Sequence, residues 1–273
     1  MSTAGRTLSD EVVRTTAIRL QEAERSRKQI RQLTLEHPGM TIDDAYAIQR
    51  EWVALKIRAG RRLRGRKIGL TSRVMQQASQ IDEPDYGDLT DDMFFEDGAV
   101  IPTSRFIVPR LEVELAFILK HRLSGPNCTL EQALAATGYI VPAMEIIDAR
   151  IEQFDSVTRA PRRVQDTISD NAASAGLVLG KQRIDPRAVD LRWVAALCYR
   201  NGVIEESGVA AAVLDHPANG IAWLANKLAA HEVALDAGLV VLAGSFVRPI
   251  AVRTGDEFRA DYGPHGKISC KFV

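Results

Sequence analysis

Arg110-Leu-Glu-Val-Glu-Leu-Ala-Phe117 alternates strictly. A period of two belongs to a strand, so Glu112 and Glu114 project from one face while Leu111, Val113 and Leu115 project from the other. Two carboxylates then stand side by side, and like charges repel unless water solvates the face or a cation sits between them. Taken alone, such a pair is ordinarily the wet face of a strand.

Further short β-like segments flank this one, broken by Gly and Pro: 67–70, 106–119, 139–147, 175–180, 191–199, 239–242, 250–253, 257–262 and 267–273. The part before Arg64 has a different texture. A charged stretch from about Ser9 to Leu33 carries Val13, Ala17 and Leu20 at helical spacing, and a loop follows at His37-Pro38-Gly39. Thr41 with Asp44 three residues on marks a helix start, and Ala45, Ile48, Trp52 and Leu55 form a stripe that ends near Gly60. Later helices are expected after Thr129, which forms a capping box with Gln132, and at Pro217, ahead of Ile221, Leu224 and Leu228. Many strands, few helices and no regular βαβ alternation predict an α+β fold: a helical N-terminal region (1–63) followed by a rolled or barrel-like sheet domain (64–273).

Lys+Arg and Asp+Glu each total 35 in the 273 residues, which removes any overall electrostatic case for nucleic acid or anionic membrane as partner. A small molecule or another subunit is expected instead. Cys128, Cys198 and Cys270 are far apart and odd in number, as free thiols in a reducing cytoplasm would be. No apolar run approaches the ~20 residues that span a bilayer, and a cytoplasmic protein is expected.

The carboxylate pair gains meaning from Val141-Pro-Ala-Met-Glu145-Ile-Ile, where one acid sits in an otherwise apolar strand. A buried, unpaired carboxylate costs several kcal/mol, so Glu145 needs a partner, either an arginine or a metal shared with Glu112 and Glu114. Three glutamates would leave roughly three positions of an octahedral Mg²⁺ or Mn²⁺ for water and substrate. The histidines (His37, His121, His216, His231, His265) fall in loops, helix ends or a Gly-Pro-His-Gly turn, and no Gly-x-Ser-x-Gly or His-Glu-x-x-His motif occurs. Ser-His-Asp hydrolysis and a zinc site are therefore not expected.

In Arg64-Gly-Arg-Lys67-Ile-Gly69-Leu-Thr71-Ser72 a lysine opens a strand among apolar and glycine residues. It is placed to neutralise an enolate or carboxylate, with Gly69, Thr71 and Ser72 as hydrogen-bond donors to the same anion. Arg61, Arg62, Arg64 and Arg66 nearby also suit an ordinary basic turn.

Lys67-Ile-Gly-Leu-Thr-Ser, the Glu-Pro-Asp85-Tyr-Gly turn, Leu-Glu112-Val-Glu114-Leu-Ala-Phe and Pro-Ala-Met-Glu145-Ile-Ile-Asp together resemble, in this order, the hydratase/decarboxylase branch of the fumarylacetoacetase superfamily. The resemblance runs from the N-terminal helices to Ser269-Cys-Lys-Phe-Val273. It implies a mixed β-roll core of the fumarylacetoacetase C-terminal type, Mg²⁺ (or Mn²⁺) on Glu112, Glu114 and Glu145, Lys67 and Asp85 as acid/base groups, and a homo-oligomer (pentamer or decamer). It places Ser245 at a substrate carboxylate, where an ordinary turn serine is an equal reading; Asn171 is a weaker candidate for the site wall, its alternative a local Asx-type bond to backbone.

The implied reaction is hydration of an unsaturated 2-oxo diacid in the breakdown of aromatic compounds such as 4-hydroxyphenylacetate. Shorter 2-oxopent-4-enoate, or decarboxylation of the 4-oxalocrotonate type, are the enzymatic alternatives; a scaffold subunit for a partner enzyme is the non-enzymatic one. Hydrolytic members of the superfamily use a histidine-based water activator, and no histidine here stands in that role. A diacid also needs a cation at its far end, for which Arg66, Arg163 and Arg248 are candidates.

Overall fold

The computed structural model describes residues 5–78 and 81–273; residues 1–4 of the expected helical region lie outside the described residues. Helices α1 (Asp10–Ser26), α2 (Leu33–Glu36) and α3 (Ile42–Arg58) precede strand β1 (Leu63–Gly69) and helix α4 (Arg73–Ala78). Strands β2 (Asp85–Thr90), β3 (Phe94–Glu96), β4 (Ala99–Ile101) and β5 (Arg110–Leu119) follow, then α5 (Leu130–Ala136), β6 (Thr137–Ile147), α6 (Val164–Ser169), β7 (Ser174–Leu179), β8 (Ala195–Arg200) and β9 (Val203–Val209). Helix α7 (Pro217–Ala229) and strands β10 (Val240–Leu242), β11 (Ile250–Ala251), β12 (Glu257–Asp261) and β13 (Lys267–Phe272) complete the chain.

An eight-stranded mixed sheet runs β2-β1-β10-β5-β6-β7-β3, with β11 added beside β5, and a second sheet of five strands runs β4-β13-β12-β8-β9. Phe258, Ile268, Cys270 and Phe272 of the second sheet share one buried apolar cluster with Leu111, Val113, Leu115 and Met144 of the first. Tyr262, just past β12, stitches the sheets: its Oη lies 2.8 Å from the carbonyl oxygens of both Glu114 and Ala143. The arrangement is the expected mixed roll with leading helices.

Local chemistry sets the helix ends. Thr41 and Asp44 form a reciprocal capping box at α3, as do Thr129 and Gln132 at α5, and Pro217 occupies the first turn of α7. Helix α1 is shorter than its charge pattern suggests, because Arg27 adopts the left-handed conformation (φ 58°) and ends it. The Glu-Pro-Asp85-Tyr-Gly segment, expected as a turn, leads instead into β2, whose Asp85 pairs with Gly69 of β1. Helix α3 packs behind this edge: Gln49 Nε2 donates to the Tyr86 carbonyl at 2.7 Å, and the Tyr46 and Tyr86 rings stack at 4.6 Å. Among the described residues, no helix is long and apolar enough to cross a membrane.

Candidate active site

Strand register gathers the candidate residues on one face of the large sheet. Lys67 pairs with Gly87 of β2 and with Leu242 of β10, Leu242 pairs with Ala116 of β5, and Glu112 pairs with Glu145 of β6. Alternation then puts Asp85, Lys67, Gly69, Glu112, Glu114 and Glu145 on the same side, above the small apolar patch of Ala116, Ala143, Leu177 and Leu242. The opposite side carries Leu111, Val113 and Leu115 into the main core.

One carboxylate oxygen from each of Glu112, Glu114 and Glu145 lies within 4.8 Å of the others, and among the described residues this is the one such cluster of potential metal ligands. Glu114 and Glu145 are buried and Glu112 is half-buried. Burial, with the neighbouring glutamates, pushes the Glu112 carboxyl up to about 7 and that of Glu114 well above its ordinary range; burial raises Glu145 as well, with Lys67 opposing it. The backbone N–H of Gly244 donates to Glu114 Oε2 at 2.8 Å, which fixes that side chain, whereas both carboxylate oxygens of Glu145 are buried without a hydrogen-bond partner. Hard oxygens from three converging acids, those of Glu145 unsatisfied, are the donor set that a Mg²⁺- or Mn²⁺-sized cation takes, so the residues fit such an ion.

Lys67 is the cation within the cluster, its Nζ 3.4 Å from Glu145 Oε1. Burial disfavours its charge, but Glu145, Glu112, Asp85 and Glu114 outweigh that cost and hold its pKa above the ordinary lysine value. Asp85 is also buried, and neither of its carboxyl oxygens has a hydrogen-bond partner. Burial raises its pKa, opposed by Lys67 and Arg162. Gly69 leaves room beside it, since a Cβ there would fall on Asp85 Oδ1 and push that carboxyl aside.

The remaining candidates divide. Thr71 is buried with its side chain against Gly244, next to the Glu114 clamp, and Ser72 follows it into α4 as a half-buried residue. Asn171 is committed elsewhere: its Oδ1 accepts from the Asp88 N–H at 2.7 Å and its Nδ2 donates to the Asp88 carbonyl at 2.8 Å. It heads three successive left-handed residues, Asn171, Ala172 and Ala173, a strained turn that this clamp holds against β2. The Ser245 hydroxyl donates to the carbonyl of Val247 at 2.9 Å and lies 3.3 Å from that of Val113, the bonding of a turn serine.

Sequence reasoning overlooked Gly244, Tyr262 and Arg162. The Ala-Gly-Ser turn carried a signal for the first; Tyr262 bonds carbonyls of two other strands and Arg162 stands near carboxylates remote in sequence, which no local pattern displays.

No family model matches the chain. It is 63% identical over 257 residues to the 2-oxo-hept-4-ene-1,7-dioate hydratase of Escherichia coli, covering 94% of this chain and 96% of that protein. To the 2-hydroxyhexa-2,4-dienoate hydratase of Comamonas testosteroni it is 40% identical, covering 96% and 97%. The solved 4-oxalocrotonate decarboxylase of Pseudomonas putida G7, complexed with magnesium and adipate, superposes with a TM-score of 0.93 at 33% identity, covering 98% of this chain and 100% of that one. Fold and sequence are those of a lyase of 2-oxo acids. The chain belongs to the hydratase/decarboxylase branch of the fumarylacetoacetase superfamily.

Proposed function

We propose that the protein is a divalent-metal-dependent hydratase that adds water to 2-oxo-hept-4-ene-1,7-dioate, giving 4-hydroxy-2-oxoheptanedioate, in the breakdown of aromatic compounds. The observation that carries this reading is the convergence of Glu112, Glu114 and Glu145 beside a buried Lys67 and an unpartnered Asp85. The 63% identity to a hydratase of that diacid, against 33% to the decarboxylase, favours hydration over loss of CO₂.

Glu112, Glu114 and Glu145 would hold the cation, Mg²⁺ in the magnesium-bound relative. When bound, the cation supplies Lewis-acid polarisation of the 2-oxo group. The Lys67 ammonium, kept charged by the surrounding carboxylates, offsets negative charge that gathers on the substrate oxygens as the double bond is attacked. Asp85, buried and with both oxygens open, takes a proton on one oxygen from the entering water or delivers one to the neighbouring carbon. The site face is lined by apolar side chains, which limits water to what the reaction admits.

Homo-oligomeric assembly is part of the proposal and is supported by exposed Trp193, Val203 and Ile204 around the edge of the second sheet. A cytoplasmic setting is supported by three buried free cysteines.

Incubation with Mg²⁺ and 2-oxo-hept-4-ene-1,7-dioate tests the function by mass spectrometry of the product. Gain of one water supports a hydratase, loss of CO₂ from the oxalocrotonate analogue identifies a decarboxylase, and no turnover of either, with assembly intact, favours a scaffold subunit.

A further inference from the structure

Resting on the diacid reading above, we propose that Arg162 is the specificity residue that receives the distal carboxylate of the substrate. Arg162 leaves a hairpin-like loop that is firmly built: Phe154 bridges Pro161, the Arg162 N–H donates to the Gln153 carbonyl at 2.9 Å, and Asp155 caps the loop through the Thr158 N–H at 2.6 Å. Arg31 grips the same Asp155 at 2.7 Å from outside. The guanidinium is thus delivered from a fixed backbone, and its Nη1 is shut off from solvent with no hydrogen-bond partner.

A buried, unpaired guanidinium nitrogen is costly, and the nearby carboxylates cannot relieve it. Asp170 is spent on the backbone and side chain of Arg150, at 2.8 and 2.6 Å, and Asp166 on Thr34 and the Arg163 N–H. Asp85 lies within electrostatic reach, yet among the described residues no ion pair joins it to Arg162, and both its oxygens stay open. Arg162 leads into α6, which packs on β2, the strand that carries Asp85, and it has one donor left for an incoming anion on that side.

The other arginines are excluded by geometry. Arg66 neighbours Lys67 on β1, so it points to the opposite face, where it pairs with Asp88. Arg248 is exposed and pairs with Glu206, and Arg163 is exposed at the start of α6. With one end of a 2-oxo diacid at the glutamates and Lys67, the far carboxylate passes Asp85 and meets Arg162. The reacting carbons are then strung past the Asp85 carboxyl.

Calorimetric binding of 2-oxoheptanedioate and of its monoacid counterpart 2-oxoheptanoate to the full chain with Mg²⁺ tests this without any turnover. Wild type should prefer the diacid, and Arg162→Met should weaken 2-oxoheptanedioate by about 30-fold, or about 2 kcal/mol at 1.4 kcal/mol per tenfold, while changing 2-oxoheptanoate by less than about threefold. Arg162→Lys, which keeps the charge but loses the fork, should recover part of the diacid preference. Equal losses for both ligands would make Arg162 a positioning residue for Asp85 and overturn the proposal. So would an unchanged diacid affinity, or a wild type that does not distinguish the two acids. Failure to hydrate 2-oxo-hept-4-ene-1,7-dioate despite selective diacid binding would count against the hydratase reading alone.

Discussion

Glu112 and Glu145 stand directly opposite one another across the β5–β6 ladder, their side chains on the same face. Like charges in that position destabilise a sheet, and here a third carboxylate, Glu114, joins them out of water. A single lysine offers less charge than the three acids carry. The arrangement is stable in its ionised form when a dication completes the balance.

Replacing Glu112 with Gln removes one member of the opposed pair. The metal-free protein should gain up to about 1 kcal/mol, a rise of about 2–4 °C in midpoint for a chain of this size, while Mg²⁺ binding and turnover are lost. Scanning calorimetry with and without Mg²⁺ reads both effects. A variant that is destabilised without metal and still active would contradict the assignment.

Replacing Lys67 with Met leaves the carboxylates without their cation. Turnover should fall by about 100-fold or more, and the variant should depend more heavily on Mg²⁺ for its thermal midpoint than wild type does. Steady-state kinetics at saturating metal, beside thermal melts over a Mg²⁺ series, provide the check.

The pH dependence has a definite sign. The Glu112 carboxyl is raised from its ordinary 4.5 to about 7 in the metal-free chain by burial and by Glu145. Between those values the folded chain holds a proton that the unfolded chain has released, so this group's stabilising contribution is present below 4.5 and is lost as pH rises through about 7. Metal needs the ionised form, so Mg²⁺ affinity should climb over the same interval. Titration calorimetry from about pH 6 to about pH 8 should show tightening with proton release; a flat profile would contradict it.

Gly69→Ala places a methyl group against Asp85 Oδ1. Displacing that carboxyl should lower kcat more than it lowers Mg²⁺ affinity, at a folding cost of about 1–3 kcal/mol. Kinetics and metal titration on one preparation separate the two effects.

The β5 alternation, the capping boxes at Thr41 and Thr129, and the apolar setting of Glu145 were legible because each is local: a period or a fixed spacing that physics ties to one conformation. β9 escaped notice because Val203-Ile-Glu-Glu-Ser-Gly-Val209 is largely exposed and lacks a buried face to impose a period. Asp85 was recognised by its motif but read as a turn, since Pro84 and Gly87 mark turns while its strand exists only through pairing with β1. Asn171 shows the converse: expected at the site wall, it has its amide consumed by the Asp88 backbone, a long-range bond invisible in the residues around it. The opposition of Glu112 to Glu145 likewise depends on register between strands separated in sequence by α5.

A crystal soaked with Mg²⁺ and oxalate probes the central claim most directly. One ion should appear held by carboxylate oxygens of Glu112, Glu114 and Glu145, with oxalate chelated to it next to the Lys67 ammonium. Density for the ion away from these glutamates, or three glutamates neutralised by protein cations with no ion between them, would contradict the account.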